Sequence, residues 1–158
     1  MNNFEVSEDF FKEDINENNT YEAVEDEAAD TLENKKAEDE KFERPAFAFW
    51  TVGKDTFKLK LKSANITELE KKYNTSLLSL LGSDTGIPKL SIMLDVTYAA
   101  MKNWYHGVKY QSVEGLYDKY IENGGSQLDF YKSVYIDIYK ASGFFTKEMI
   151  LSMNKNLK

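Results

Sequence analysis

A single histidine, His106, and no cysteine leave few ways to build a reactive centre in this chain of 158 residues. One imidazole cannot form a histidine metal cluster, and without thiols there is no disulfide, thiolate zinc site or cysteine nucleophile. A serine triad would need its nucleophile lifted on a Gly-x-Ser-x-Gly elbow, and no serine sits in one. Gly124-Gly125 lacks the following Lys-Ser or Lys-Thr pair that meets a nucleotide and its magnesium. His106 has a plainer role at the end of an apolar helix, where its partial charge complements the C-terminal dipole. Beyond residue 44 the carboxylates are few and separated, chiefly Glu68, Glu70, Asp95, Glu114, Asp118, Glu122, Asp129 and Asp137. Asp95 interrupts an apolar helix, so it must pair with Lys102 or a tyrosine, or else face water. A two-carboxylate hydrolase also needs a cleft that a short helical body rarely builds. The expectation is a protein that is not an enzyme and holds neither cofactor nor metal.

Binding chemistry is better represented. Lys58, Lys60 and Lys62 could touch nucleic acid, with Phe47, Phe49 or Trp50 as stacking residues, but lysines alternating with core residues are also the ordinary outer face of a hairpin. The net charge of −7 and the single arginine, Arg44, weigh against nucleic acid as a partner. Aromatic residues are plentiful, with 10 Tyr, 10 Phe and 2 Trp. A small body cannot fully bury so many rings, and exposed aromatics are what protein-binding surfaces use. Tyrosines that edge the core with wet hydroxyls would explain the same composition, so both explanations stand at this point. If a partner protein is contacted, the candidate residues are the rings least easily hidden: Trp50, Trp104, Tyr105, Tyr117, Tyr120, Phe144 and Phe145.

A domain downstream of an acidic leader must position these residues. Residues 1–44 carry 16 acidic and 5 basic side chains, a charge of −11, whereas residues 45–158 carry 11 and 15, a charge of +4. So polar a leader cannot bury enough apolar area to offset backbone ordering, and disorder is expected over 1–44. A folded domain is expected over 45–158. Ala46–Trp50 and Thr56–Lys62 read as strands, and the second alternates strictly, with Phe57, Leu59 and Leu61 on one face. Val52-Gly53-Lys54-Asp55 supplies the turn between them.

Helices come next. Asn65-Ile66-Thr67-Glu68 has the side chains of a capping box opening a helix through about Leu81, with a break near Asn74-Thr75-Ser76. Leu90–Tyr105 is apolar on most sides and belongs at the centre, with His106-Gly107 ending it. Ser112 is expected to cap a helix bearing Val113, Leu116, Tyr117, Tyr120 and Ile121 on one face. Ser126 and Asp129 open another, with Tyr131, Val134, Tyr135, Ile138 and Tyr139 inward and Asp129, Lys132, Asp137 and Lys140 opposite. Gly143 suits its left-handed C-terminal position, and a last helix spans Thr146 to about Asn154. The fold class is α+β, mostly helical: a β-hairpin followed by four or five short helices. No run of about 18 apolar residues is present to span a bilayer, and the acidic start is unlike a secretory signal, so no membrane is expected.

The order of several motifs resembles the tail assembly chaperones of phages and prophages of Gram-positive bacteria. The likeness covers about residues 46–145. It begins with Phe49-Trp50-Thr51-Val52-Gly53 running into Phe57-Lys58-Leu59-Lys60-Leu61, then Ile66-x-x-Leu69-Glu70-x-x-Tyr73 and Ser76-Leu77-Leu78. It continues through Pro88, Met93–Met101, His106-Gly107-Val108, Gly124-Gly125-Ser126-Gln127 and Ser142-Gly143-Phe144-Phe145. The acidic leader lies outside it. The resemblance implies a chaperone in the bacterial host cytoplasm that coats the tape-measure protein, or another tail protein, while the tail tube polymerises. Such a tape-measure chain is long, helical and apolar and would aggregate uncovered. A structural tail component of the virion and a phage-encoded inhibitor of a host protein are the alternatives, and self-association stays open.

Overall fold

The computed structural model describes residues 42–82 and 86–156. The expected disorder of residues 1–44 falls outside the described residues as far as Lys41. Phe42 and Arg44 belong to the folded unit: Phe42 packs at the edge of the core, and the Arg44 guanidinium donates to the Lys140 carbonyl at 3.3 Å.

Two strands, β1 (Ala48–Val52) and β2 (Asp55–Leu59), pair antiparallel about the Gly53-Lys54 turn, with Trp50 opposite Phe57 and Phe49 opposite Lys58. Because side chains alternate across a strand, Ala48, Trp50 and Val52 point inward while Phe49 and Thr51 point out. Five helices follow among the described residues. They are α1 (Ser63–Tyr73), α2 (Leu90–Met101), α3 (Tyr110–Glu122), α4 (127–141) and α5 (Lys147–Lys155), and a 3-10 turn, Leu77–Leu80, lies between the first two. The α+β architecture is the one expected from the sequence.

Helix α2 is central, with Met93, Leu94, Val96, Thr97, Ala99, Ala100 and Met101 all buried. The hairpin is tied to it by the Lys60 N–H, which donates to the Ala100 carbonyl at 3.2 Å. Trp50, only 1% exposed, is enclosed by the rings of Phe57, Tyr120 and Phe130 at centroid distances of 6.4, 6.1 and 5.1 Å. Tilted and edge-on ring pairs of this kind add to the burial itself by aligning ring quadrupoles.

Helix α4 starts as Gln127–Phe130, widens into a π-helical turn at Tyr131–Tyr135 and resumes as Ile136–Ala141. Residues four apart are neighbours on one face of a helix. Tyr131, Tyr135 and Tyr139 accordingly form a ladder with centroid spacings of 6.0 and 5.1 Å. Their hydroxyls lie 3.4, 3.0 and 3.0 Å from the carbonyls of Leu81, Leu80 and Leu77, and those of Tyr135 and Tyr139 lie 3.0 Å apart, so the two protons of that pair serve three contacts. The ladder thereby satisfies carbonyls of a 3-10 turn that has few partners of its own.

Several helix limits differ from expectation. Helix α1 starts at Ser63, not after Asn65; the Asn65 side chain instead sits buried in the first turn and accepts the Lys62 N–H at 3.0 Å. Asn74 takes the left-handed conformation at φ 52° and supplies the break foreseen there. Helix α2 ends at Met101, so His106 is exposed in the following loop, beyond reach of the helix dipole. Helix α3 begins at Tyr110, without a cap from Ser112. Ser126 does cap α4, its hydroxyl accepting the Asp129 N–H at 3.1 Å, and Thr146 caps α5. Gly143 adopts φ 90°, and the Phe144 N–H closes the helix end on the Tyr139 carbonyl at 3.2 Å.

Lys140 is not on the solvent face. It is 5% exposed because α5 lies beside it, and its ammonium reaches Asp137 at 3.0 Å and the Asn154 side-chain oxygen at 3.3 Å. The long stem is covered while the charge keeps two polar partners, the only tolerable way to bury a lysine.

Candidate protein-binding surface

Three of the rings proposed for partner contact are core. Trp50, Tyr117 and Phe145 are 1, 7 and 4% exposed, so a partner cannot reach them without unfolding. Trp50 faces inward because it shares parity with Val52 and, through the ladder, stands opposite Phe57, on the face of Leu59 and Leu61. Tyr117 and Phe145 pack against Phe130 (5.2 Å) and Tyr139 (6.5 Å) respectively. Tyr120 and Phe144 are half-buried, the former between Trp50 and Phe130 and the latter 4.8 Å from the Tyr139 ring. Tyr105 is half-buried too and holds the hairpin, its hydroxyl accepting the Lys58 N–H at 2.8 Å.

Trp104 is the one of the seven that joins an outward-facing cluster. Its indole N–H donates to the Lys60 carbonyl at 3.2 Å, fixing the ring over the hairpin, and Phe47 meets it edge-on at 4.9 Å. Around these two rings stand three ammonium groups. Lys58 lies 5.2 Å from both ring centroids, Lys60 lies 5.6 Å from Phe47, and Lys62 lies 5.1 Å from Trp104. Each is within cation–π range of a ring. Among the described residues none of the three makes an ion pair.

The ring the sequence undervalued is Phe49. It is 59% exposed, the only aromatic residue with an exposed side chain among the described residues, directly across the ladder from Lys58. Of the two explanations for the aromatic content, the described residues match tyrosines that edge the core, their hydroxyls taken up by backbone carbonyls and neighbouring rings. Phe49 also stands on a groove of about 420 Å³ between the hairpin, α4 and α5, lined by Pro45, Phe47, Ile150, Lys132, Asp137 and Asn154 among others. A second trough of about 250 Å³ continues along α4 and α5, sharing Lys132 and Lys140 and adding Ile136 and Met153. The outward position of Phe49 was readable by counting back from the two-residue turn. The segment Ala46–Trp50 is apolar at both parities, so its own alternation carried no direction.

Asp95 has found partners, with its carboxylate accepting from Lys72 at 2.6 Å and from the Tyr73 hydroxyl. The tyrosine was foreseen, but Lys102 pairs with Glu68 instead, at 2.6 Å. Burial, and then the hydrogen bond to Asp95, push the Tyr73 phenol well above its usual range. Among the described residues no three His, Asp or Glu side chains are grouped to hold a metal ion, and no helix is long and apolar enough to cross a membrane.

The folded unit is thus a helix-dominated α+β domain with an aromatic and cationic outer face on its hairpin. The chain belongs to DUF6096, a family of unknown function, whose profile matches residues 46–158. Searches of curated proteins and of solved structures return no significant match.

Proposed function

We propose that this protein is a tail assembly chaperone that binds the tape-measure protein and keeps it soluble until the tail tube encloses it. The order of motifs from Phe49 to Phe145 that resembles such chaperones supports this reading. So does the surface: Phe49 projects at the mouth of an apolar groove, and a side chain exposed to that extent gains most from a partner's apolar stripe. The exposure of Phe49 is the observation on which the binding role rests. One shallow groove with one exposed ring gives a modest contact, which suits a coat that must be shed as the tube grows.

Co-expression tests it. The tape-measure protein of the same phage or prophage is expected in the soluble fraction with this chain and in the pellet without it, and Phe49→Asp should lose most of the rescue. Unchanged solubility on omission would overturn the proposal. Mass spectrometry of purified particles separates the main alternative, since a structural tail component would be present in stoichiometric amount and a chaperone absent.

A further inference from the structure

We infer that the outer face of the hairpin and the adjoining groove recognise a helical segment of a partner protein whose apolar stripe is flanked by carboxylates. The inference rests on the protein-binding role proposed above and adds the chemistry of what is bound. Phe49 lies between cations on two sides: Lys58 across the ladder, continued by Lys60 and Lys62 around Phe47 and Trp104, and Lys132 across the groove. None of these four ammonium groups makes an ion pair among the described residues, whereas Lys72, Lys102 and Lys140 each have a carboxylate. The carboxylate in the groove, Asp137, is already engaged by Lys140 at 3.0 Å. Among the described residues the surface therefore presents an apolar centre with cations on its rim and, in the groove lining, no carboxylate other than the already paired Asp137, the complement of an apolar residue with acids beside it.

The shape argues for a helix over a compact small molecule. Lys132, Ile136 and Lys140 recur every four residues along α4 and line the trough that extends the groove, so the apolar floor runs on the order of 10 Å along the helix axis. Lysines laid on rings also suit single-stranded nucleic acid, where bases stack on exposed aromatics. Here Phe47 and Trp104 meet edge-on with ammonium groups over their rings, which leaves Phe49 as the single exposed ring, too few to stack successive bases. Nucleic acid is accordingly the outcome to be excluded.

Fluorescence anisotropy with the full chain tests the assignment. The probes are a labelled 18-residue amphipathic peptide with Leu at i, i+3, i+4 and i+7 flanked by Glu, the same peptide with Lys for Glu, and a 20-nucleotide oligo-dT strand. The Glu peptide should bind at least tenfold more tightly than the Lys peptide. Phe49→Ala should weaken it at least fivefold, and combined Lys58→Ala, Lys60→Ala and Lys62→Ala should weaken it and flatten its salt dependence, with an unchanged circular dichroism spectrum in each case. Equal binding of the two peptides would overturn the acidic preference while leaving the chaperone reading to its own solubility test. Binding of oligo-dT through the three lysines, without binding of the Glu peptide, would overturn that preference as well. Failure of both peptides to bind a correctly folded chain would overturn this surface as a docking site.

Discussion

Replacing Tyr139 with Phe removes one oxygen from the centre of the tyrosine ladder and leaves the ring in place. The Leu77 carbonyl loses its donor and the Tyr135 hydroxyl loses the oxygen beside it, each at 3.0 Å and inside the protein. A buried neutral hydrogen bond contributes about 1 kcal/mol net, and more where its partner is left without a donor, so a loss of about 2 kcal/mol is expected. In a domain of this size that corresponds to a fall in Tm of about 10 °C. Urea titration followed by circular dichroism should show a lower midpoint with an unchanged slope, because the surface exposed on unfolding is the same. The alkaline limb supplies an independent signature. Burial raises the Tyr135 phenol to about 12 and pushes Tyr139 higher still. With both folded values above the ordinary tyrosine value near 10, the unfolded chain gives up these protons first. Stability is therefore complete below about pH 10 and falls as pH rises towards the folded values, by about 1.4 kcal/mol per pH unit for each such tyrosine. Tyr139→Phe should be less stable at pH 7 and lose stability less steeply above pH 10. A variant with wild-type stability and the same alkaline slope would refute the ladder as the clamp on the 3-10 turn.

Two further substitutions probe other contacts. Gly125→Ala would place a methyl group inside the van der Waals surface of the Tyr120 ring, which is itself held against Trp50 and Phe130. A destabilisation of about 1–3 kcal/mol with altered Trp50 fluorescence is expected by urea titration, and an unperturbed protein would mean that the ring yields freely. Asp95→Asn keeps a hydrogen-bonding group beside Tyr73 but removes the charge, so spectrophotometric titration at 295 nm should show Tyr73 and Tyr110 ionising at lower pH, though both still raised by burial. The lost ion pair to the half-exposed Lys72 should cost less than about 1 kcal/mol at neutral pH, and an unchanged titration curve would refute the contact with Tyr73.

Local sequence determined the elements themselves. The alternation of Phe57, Leu59 and Leu61, the turn at Gly53-Lys54, the break at Asn74, the Ser126 and Thr146 caps and the Gly143 stop are all set by interactions within a few residues, so they can be read from adjacent letters. Periodicity likewise identified Tyr131, Val134, Tyr135, Ile138 and Tyr139 as an inward face; the last four are buried and Tyr131 is half-buried. What the tertiary structure alone decided was how completely each ring is covered. The turn sends Trp50 and Phe49 to opposite faces, but Trp50 is hidden by Tyr120 of α3 and Phe130 of α4, which come from far along the chain, while no such cover reaches Phe49. Lys140 reads as a solvent residue until α5 folds down beside it. The assembly of Phe47, Trp104 and three lysines joins segments more than forty residues apart, and no local pattern encodes a contact of that range.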